Sequence, residues 1–269
     1  AGDTLDHAVA VAKRLNEEGF LVSLDLLGEE VHDRDSALAA SHEYLESLDR
    51  IRDESLDANI SVKPTQLGLS IDEGMAMAAI GDLGARAKAV GTTVTIDMED
   101  SRYTEATVRM FERGQELTGN FGIAIQACMR RTPADLDRLA PRGGHIRLCK
   151  GAYVEPEEIA LQTKSGIDAA YSRQLRSLME AGTTMPAVAT HDADLIQLAV
   201  ELARSRRGPW EFQMLYGVRR HLQRQLVDQG HPLRIYLPFG SQWYPYLTRR
   251  LAERPANALF FARALLSGD

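Results

Sequence analysis

The sequence predicts an α/β fold: a distorted, closed parallel (βα)8 barrel in a single domain. Three observations carry this. Eight short apolar runs recur, FLVSLDLL (20–27), NISVK (59–63), TVTIDM (93–98), GIAIQA (122–127), HIRLCK (145–150), AVATH (187–191), EFQMLYG (211–217) and RIYLPFG (234–240). The segments between them have helical spacing, not hairpin turns, and the runs are rich in Val, Ile and Leu, as the strands of a buried parallel sheet are. The chain has 269 residues, which suits one such barrel of about 250 residues. Active sites of these barrels sit at the C-terminal ends of the strands. Glu29, Lys63, Asp97, Gln126, Lys150, His191, Tyr216 and the loop of Tyr236 are therefore expected at one mouth.

Residues 3–18 place Leu5, Val9, Ala12 and Leu15 on one helical face before Gly19 stops the helix, so 1–19 is a leading helix. A helix over 35–57 presents Leu38, Leu45, Leu48 and Ile51 on one stripe. Over 70–90, Ser70 and Glu73 have capping-box spacing. Further helices are expected over 104–117, over 133–139 with Pro133 in its first turn, and from Pro156 to about 180. Others run from Asp192 or Ala193 to about 204 and over 218–229. Residues 20–240 thus hold the barrel strands and helices. Residues 241–269, with helices over 245–253 and through ANALFFARALL, close the site. No linker or low-complexity tract divides the chain, so 1–269 is one unit. No G-x-G-x-x-G follows a strand, which argues against a doubly wound dinucleotide fold.

Composition narrows the function. The chain is 44% hydrophobic and 26% charged with net charge −7, as in a globular protein without the basic footprint of a nucleic-acid binder. No apolar run is long enough to span a bilayer, and no signal peptide is visible. The chain starts at Ala1 and not at Met, which reads as a trimmed N-terminus. The two cysteines, Cys128 and Cys149, are expected as buried small hydrophobes in a reducing compartment.

Several residues could carry chemistry. On a helix over 245–253, Tyr246, Arg249, Arg250 and Glu253 share one face. The paired arginines form a fork suited to a carboxylate or phosphate, although an ordinary surface Arg–Glu pair explains that helix as well. Lys63 and Lys150 end strands, where a lysine is costly unless paired or used; each could anchor an anion or form a Schiff base. Asp97, Glu99 and Asp100 could bind a divalent metal, though D-M-E-D is a weak signal. Arg147 and Lys150 stand beside the small residues Gly151 and Ala152, where a ligand can approach the backbone. His191 could be a base, a metal ligand, a phosphate contact or a structural histidine. Tyr153, Tyr236, Tyr244, Tyr246 and Trp243 add aromatic surface to the rim.

Together the strand-end words LDLLGE (24–29), SVK (61–63), IDMED (96–100), IQA (125–127), IRLCKGAY (146–153), ATH (189–191), EFQMLYG, RIYLPFG and YLTRRLAE (246–253) resemble the flavin-dependent proline dehydrogenase family, in the family's order and over almost the whole chain. The resemblance implies FAD at the strand C-termini and oxidation of L-proline to Δ1-pyrroline-5-carboxylate. It implies that Arg249 and Arg250 grip the proline carboxylate with help from Lys63, and that Glu29 pairs with one arginine. Tyr153, Leu215, Tyr236 and Tyr246 would box the pyrrolidine ring. Asp97 and Arg147 would lie beside flavin and substrate as the catalytic pair. Met98, Gln126, Lys150, Gly151, Ala152, Thr190, His191, Gln213 and Glu253 would contact the flavin or lie close to it. Two departures are Cys149, where the family often has Val, and a short GSQWYP loop. The chain lacks an aldehyde dehydrogenase module. The resemblance therefore implies a monofunctional cytoplasmic enzyme, with a separate pyrroline-5-carboxylate dehydrogenase downstream. It also implies quinone as electron acceptor, with peripheral contact at the inner face of a membrane.

Competing readings are a Schiff-base lyase or aldolase using Lys63 or Lys150, a metal-dependent hydrolase using Asp97, Glu99 and His191, and a non-catalytic scaffold barrel.

Overall fold

The structure, a computed structural model, describes residues 2–28 and 31–242. Strand and helix alternate as the sequence predicts: α1 (Leu5–Glu17), β1 (Leu21–Leu26), α2 (Arg34–Asp53), β2 (Ala58–Val62), α3 (Glu73–Val90), β3 (Val94–Ile96), α4 (Thr104–Leu117) and β4 (Phe121–Gln126). There follow α5 (Thr132–Leu139) with a 3-10 turn over Ala140–Arg142, β5 (His145–Cys149), α6 (Lys164–Glu180), β6 (Met185–Ala189), α7 (Ala193–Ala203), β7 (Glu211–Leu215), α8 (Arg220–Asp228) and β8 (Leu233–Phe239). Each strand pairs in parallel with the next. β8 returns to β1 in a register running from Leu21 opposite Arg234 to Leu26 opposite Phe239, which closes the barrel.

The strands are buried on both sides, yet they alternate. Val22, Leu24, Ile60, Val94, Ile96, Ile123, Ile146, Val188, Phe212, Ile235 and Leu237 belong to the apolar core and are fully buried. Burying each such side chain contributes roughly 1.5–3 kcal/mol. On six strands the residues between them are polar, Ser23 and Asp25, Asn59 and Ser61, Thr95, His145 and Arg147, Glu211 and Gln213, Arg234 and Tyr236, while β4 and β6 place the small Gly122, Ala124, Ala187 and Ala189 there. Successive strand residues face opposite sides. The polar set faces the barrel axis, because its members bond across it: Thr95 of β3 to His145 of β5 (2.7 Å), and Arg147 of β5 to Ser61 of β2 (2.8 Å). Such contacts join strands that are not neighbours in the sheet. This chain therefore packs its apolar strand face under the helices and fills its lumen with hydrogen-bonded polar groups.

Near the N-terminal end of the lumen, Asn59 donates to Thr95 Oγ1 (3.2 Å), whose hydroxyl also bonds to His145 Nε2 (2.7 Å). Gly122 lies opposite His145 in the sheet register. A Cβ there would stand 2.0 Å from His145 Nε2, so only glycine leaves room for the imidazole. Burial pushes the His145 pKa down to about 3, so the folded protein keeps it neutral while the unfolded chain protonates it below about pH 6.5. Stability is therefore expected to fall as pH drops from about 6.5 towards 3, with His145 contributing about 1.4 kcal/mol per pH unit. Urea unfolding of the native protein and of His145→Gln at pH 7 and pH 5 checks this: the native protein should lose more stability than the variant. Equal losses would contradict it.

Helix boundaries depart from expectation in three places, the first being α2, which ends at Asp53 and not at 57 and leaves Leu38 of its expected stripe exposed. Ser70 does not cap α3: its hydroxyl donates to the Val31 carbonyl, and Asp72 caps instead, accepting from Gly74 N (2.8 Å) and Met75 N (3.2 Å). No long helix begins at Pro156. Residues 156–162 form turns and an isolated bridge between Met129 and Ala160, and α6 starts only after Thr163, which accepts from Gly166 N (3.2 Å). Pro156 punctuates a loop here, and the Thr163 cap sets the helix start. No helix among the described residues is long and apolar enough to cross a membrane. The expected C-terminal helices lie outside the described residues.

Candidate active site

The C-terminal ends of β2 to β8 converge on an inner cavity of about 260 Å³. Lys63 enters it after β2, Asp97 and Met98 after β3, and Gln126 from the end of β4. Arg147 comes from β5, with Lys150, Gly151, Ala152 and Tyr153 following it. Thr190 and His191 follow β6, Gln213 and Leu215 lie on β7, and Tyr236 lies on β8. The structure thus brings these candidates together at one mouth. Glu29, Tyr246, Arg249, Arg250 and Glu253 lie outside them. Tyr216 does not join the cavity: it is 36% exposed, and its hydroxyl accepts from Arg14 of α1 (3.5 Å). Leu215 takes the inward place because the side-chain direction reverses between consecutive residues.

The centre of the cavity is a network around Arg147. Its guanidinium donates to Asp97 Oδ1, to Gln213 Oε1 and to Ser61 Oγ (2.8 Å). It also stacks over the Tyr236 ring, 5.0 Å from the centroid. The Tyr236 hydroxyl donates to the second Asp97 oxygen (2.7 Å). Burial disfavours the charge on Arg147, but Asp97, Tyr236, Cys149 and Asp25 together outweigh it and hold its pKa above the ordinary value. The network continues down the lumen, where Gln213 Nε2 donates to Glu211 Oε1 (2.6 Å) and Glu211 is paired with Arg234 (2.7 Å). Burial opposes ionisation of Glu211, yet the Arg234 contacts prevail and lower its pKa.

Both candidate lysines are bonded to carboxylates. Lys63 Nζ donates to Asp25 of β1. Lys150 Nζ donates to Asp168 of α6 and to Asp192 (2.8 Å), the N-cap of α7. Burial disfavours the charged forms of Asp168 and Asp192, but hydrogen bonds from Lys150 outweigh it and both pKa values are lowered. Schiff-base catalysis needs an amine free to attack a carbonyl, and both amines are engaged by carboxylates.

The D-M-E-D carboxylates separate. β3 ends at Ile96. Asp97 turns into the cavity, while Glu99 accepts from Thr65 N (2.9 Å) and Thr65 Oγ1 (2.6 Å) and so ties the β2 loop to the β3 loop. Asp100 pairs with Arg102 (2.6 Å). Among the described residues no group of three or more His, Cys, Asp or Glu could hold a metal ion. His191 Nε2 accepts from the Leu215 backbone N–H (3.1 Å), which assigns its ring proton to Nδ1 and bolts the β6 loop to β7. Gln126 is likewise committed: Nε2 donates to the Glu99 carbonyl (2.9 Å) and Oε1 accepts from Ala152 N (3.1 Å). Cys149 is only half-buried and lines the cavity, whereas Cys128 is buried.

The inner cavity adjoins an outer cleft of about 600 Å³. The two share a wall made of Lys150 to Tyr153, Ala189 to His191, and Leu215. Lys164 and Arg219 bring cations to the outer part. Arg219 caps α8 in a left-handed conformation (φ 54°), a strained state for a non-glycine residue, and donates to the His191 carbonyl. Sequence reasoning missed Asp25, Ser61, Lys164, Glu211, Arg219 and Arg234. The first, second, fourth and last had a signal, a polar residue two positions from another inside an apolar strand. Lys164 and Arg219 had none beyond following strand-end segments.

A closed (βα)8 barrel with its buried charges, aromatic ring and adjoining cavities at the C-terminal mouth has the architecture of a barrel enzyme. The family model described as Proline dehydrogenase matches residues 8–263. The chain is 35% identical over 269 residues to proline dehydrogenase 1 of Bacillus subtilis subsp. natto, covering 99% of this chain and 89% of that one. It is 32% identical over 282 residues to proline dehydrogenase of Deinococcus radiodurans, covering 100% of this chain and 89% of the relative. Among solved structures, proline utilization A from Bdellovibrio bacteriovorus, inactivated by N-propargylglycine, superposes with a TM-score of 0.86 at 25% identity. That match covers 93% of this chain but 31% of the larger protein. The chain belongs to the proline dehydrogenase family.

Proposed function

We propose that this chain oxidises L-proline to Δ1-pyrroline-5-carboxylate with FAD as its cofactor, the first step of proline catabolism. The observation that carries the reading is the buried Arg147–Asp97–Tyr236 network standing beside Lys63 in one cavity, on a chain of this family.

The residues present fit an FAD. Two adjoining cavities share a wall: the inner one holds apolar surface from Met98, Met214 and Leu215, and the outer one holds Lys164 and Arg219. That division suits a molecule with a flat ring at one end and an anionic middle. Met98, Gln126, Arg147, Lys150, Gly151, Ala152, Thr190, His191 and Gln213 would hold it, with Glu253 close by. When bound, FAD supplies the two-electron acceptor that receives hydride from proline C5.

The chain's own residues do the rest. Lys63, with Arg249 and Arg250, binds the proline carboxylate, and Glu29 pairs with one of the arginines. Tyr153, Leu215, Tyr236 and Tyr246 enclose the ring, exclude water and fix its orientation, a proximity effect. Arg147 is a preorganised cation, unable to reorient because Asp97, Gln213 and Ser61 occupy its fork, and it stabilises negative charge that develops nearby. In this reading residues 241–269 belong to the same 1–269 unit and contribute Tyr246, Arg249, Arg250 and Glu253 to the site. Electrons pass on to membrane quinone through peripheral contact from the cytoplasmic side. The product passes to a separate pyrroline-5-carboxylate dehydrogenase. Similarity over nearly the full length of the Bacillus proline dehydrogenase supports the proline reading.

The test is steady-state turnover of L-proline with an electron-accepting dye, the product being trapped as its adduct with o-aminobenzaldehyde. Proline-dependent dye reduction with matching adduct is expected. Dye reduction without adduct would refute the assigned product. Borohydride inactivation only in the presence of a carbonyl compound would revive the lysine lyase.

A further inference from the structure

Among the charges near the cavity, Asp25 is distinctive because it is fully buried and does not line the cavity. It lies on β1, one layer behind Lys63, and its Oδ1 accepts from the Lys63 ammonium. Lys63 is itself buried, but its side chain forms part of the cavity wall. The register of the strands explains the meeting: Asp25 is opposite Ser61, and Lys63 lies two residues beyond Ser61 on the same side of β2.

We propose that Asp25 is the positioning residue of Lys63: from behind the cavity wall it keeps the lysine charged and aimed at the place where a substrate carboxylate binds. The assignment rests on the substrate reading given above. Burial of an ammonium group favours its neutral form unless a counter-charge accompanies it. Asp25 supplies that charge without entering the cavity, so it does not repel an anionic substrate by direct contact. Among the described residues, other charged or titratable groups around the pair include Asp97 after β3, Glu99 of the following loop, Arg147 of β5, Tyr236 of β8 and Tyr44 of α2. Arg147 and Tyr236 are engaged with Asp97, and Tyr44 donates to Gln66 (2.7 Å). Asp25 bonds directly to Lys63. Burial raises the Asp25 pKa, Lys63 opposes this, and Asp97 adds to it. Each member of the pair therefore depends on the other for its charge.

The experiment uses the flavin-loaded full chain and two probes, tetrahydrofuran-2-carboxylate and its neutral carboxamide, followed by the flavin absorbance change on binding. Asp25→Asn is expected to weaken carboxylate binding by about tenfold or more while changing carboxamide binding by less than about threefold, since the charge-assisted contact alone is lost. In a Lys63→Met background, adding Asp25→Asn should change carboxylate affinity by less than about twofold, because a residue acting only through Lys63 has nothing left to act on. This second comparison also serves if Asp25→Asn alone does not fold, because removing both charges leaves neither unpaired. Equal weakening of both probes, or an additive effect in the Lys63→Met background, would overturn the assignment. A native protein that turns over proline while the variants behave in those ways locates the failure in Asp25. A native protein that neither turns over proline nor binds the carboxylate overturns the substrate reading and this assignment with it.

Discussion

Replacing Arg147 by Met is expected to lower kcat/KM for proline by about 10²–10³ or more, the loss typical of removing one preorganised electrostatic group. Arg147 is the hub to which Asp97, Gln213 and Ser61 are fastened and over which Tyr236 stacks. Its loss leaves the Asp97 carboxylate, 13% exposed, without its cation. Breaking a buried pair in this way typically costs about 3–5 kcal/mol, so the variant should also melt at lower temperature. Arg147→Lys separates charge from geometry. Lysine restores a cation but has no planar fork to reach three acceptors at once. It should recover stability in part and activity much less. Steady-state kinetics with a thermal melt on both variants check this, and a Met variant with near-native kcat/KM would refute the role given to Arg147.

Gly151→Ala is expected to abolish most flavin uptake. Gly151 has φ 125°, in the region that side-chain-bearing residues rarely adopt. A Cβ there would stand 2.3 Å from Cys128 Sγ and 3.4 Å from Gln126 Oε1. Strain and overpacking together cost roughly 1–3 kcal/mol. The chain can relieve them only by shifting the 150–153 loop, and that loop is the wall common to the inner and outer cavities. Displacing it also breaks the Ala152 N to Gln126 Oε1 bond. The bound flavin per mole of purified protein should fall by about tenfold or more, since each 1.4 kcal/mol is a factor of ten in affinity. Full flavin content with native stability would contradict this reading of the loop.

Much of this architecture was legible from the sequence because strands such as TVTIDM and HIRLCK end in residues with no structural reason to be apolar. Placing Lys63, Asp97, Lys150 and Tyr236 at one mouth needed only the parallel register of a closed sheet. The interior of the barrel was harder to read. Ser23, Asp25, Asn59, Ser61, His145, Glu211 and Arg234 alternate with Val, Leu, Ile and Phe. The apolar members were visible, but the polar members were not taken as one continuous lining. Period-two polarity inside runs that also carry dense apolar residues is the signal that separates a polar lumen from an apolar one. Helix starts were less legible where several caps compete: Ser70 and Asp72 both precede α3, and Pro156 and Thr163 both precede α6. In each case the residue with a side-chain oxygen beside the first free N–H groups set the boundary. The partners of Lys150 could not be read at all, since Asp168 and Asp192 lie 18 and 42 residues away and meet it only through the packing of α6 and α7 on the barrel.

The central claim is that this barrel holds a flavin which takes electrons from L-proline. The most direct measurement is the absorption spectrum of the purified protein before and after adding L-proline without oxygen. The account predicts a flavin band near ~450 nm that bleaches with proline, because the electrons removed from the substrate must reside on the cofactor. A flavin band indifferent to proline, or a colourless protein unable to take up FAD, would contradict it.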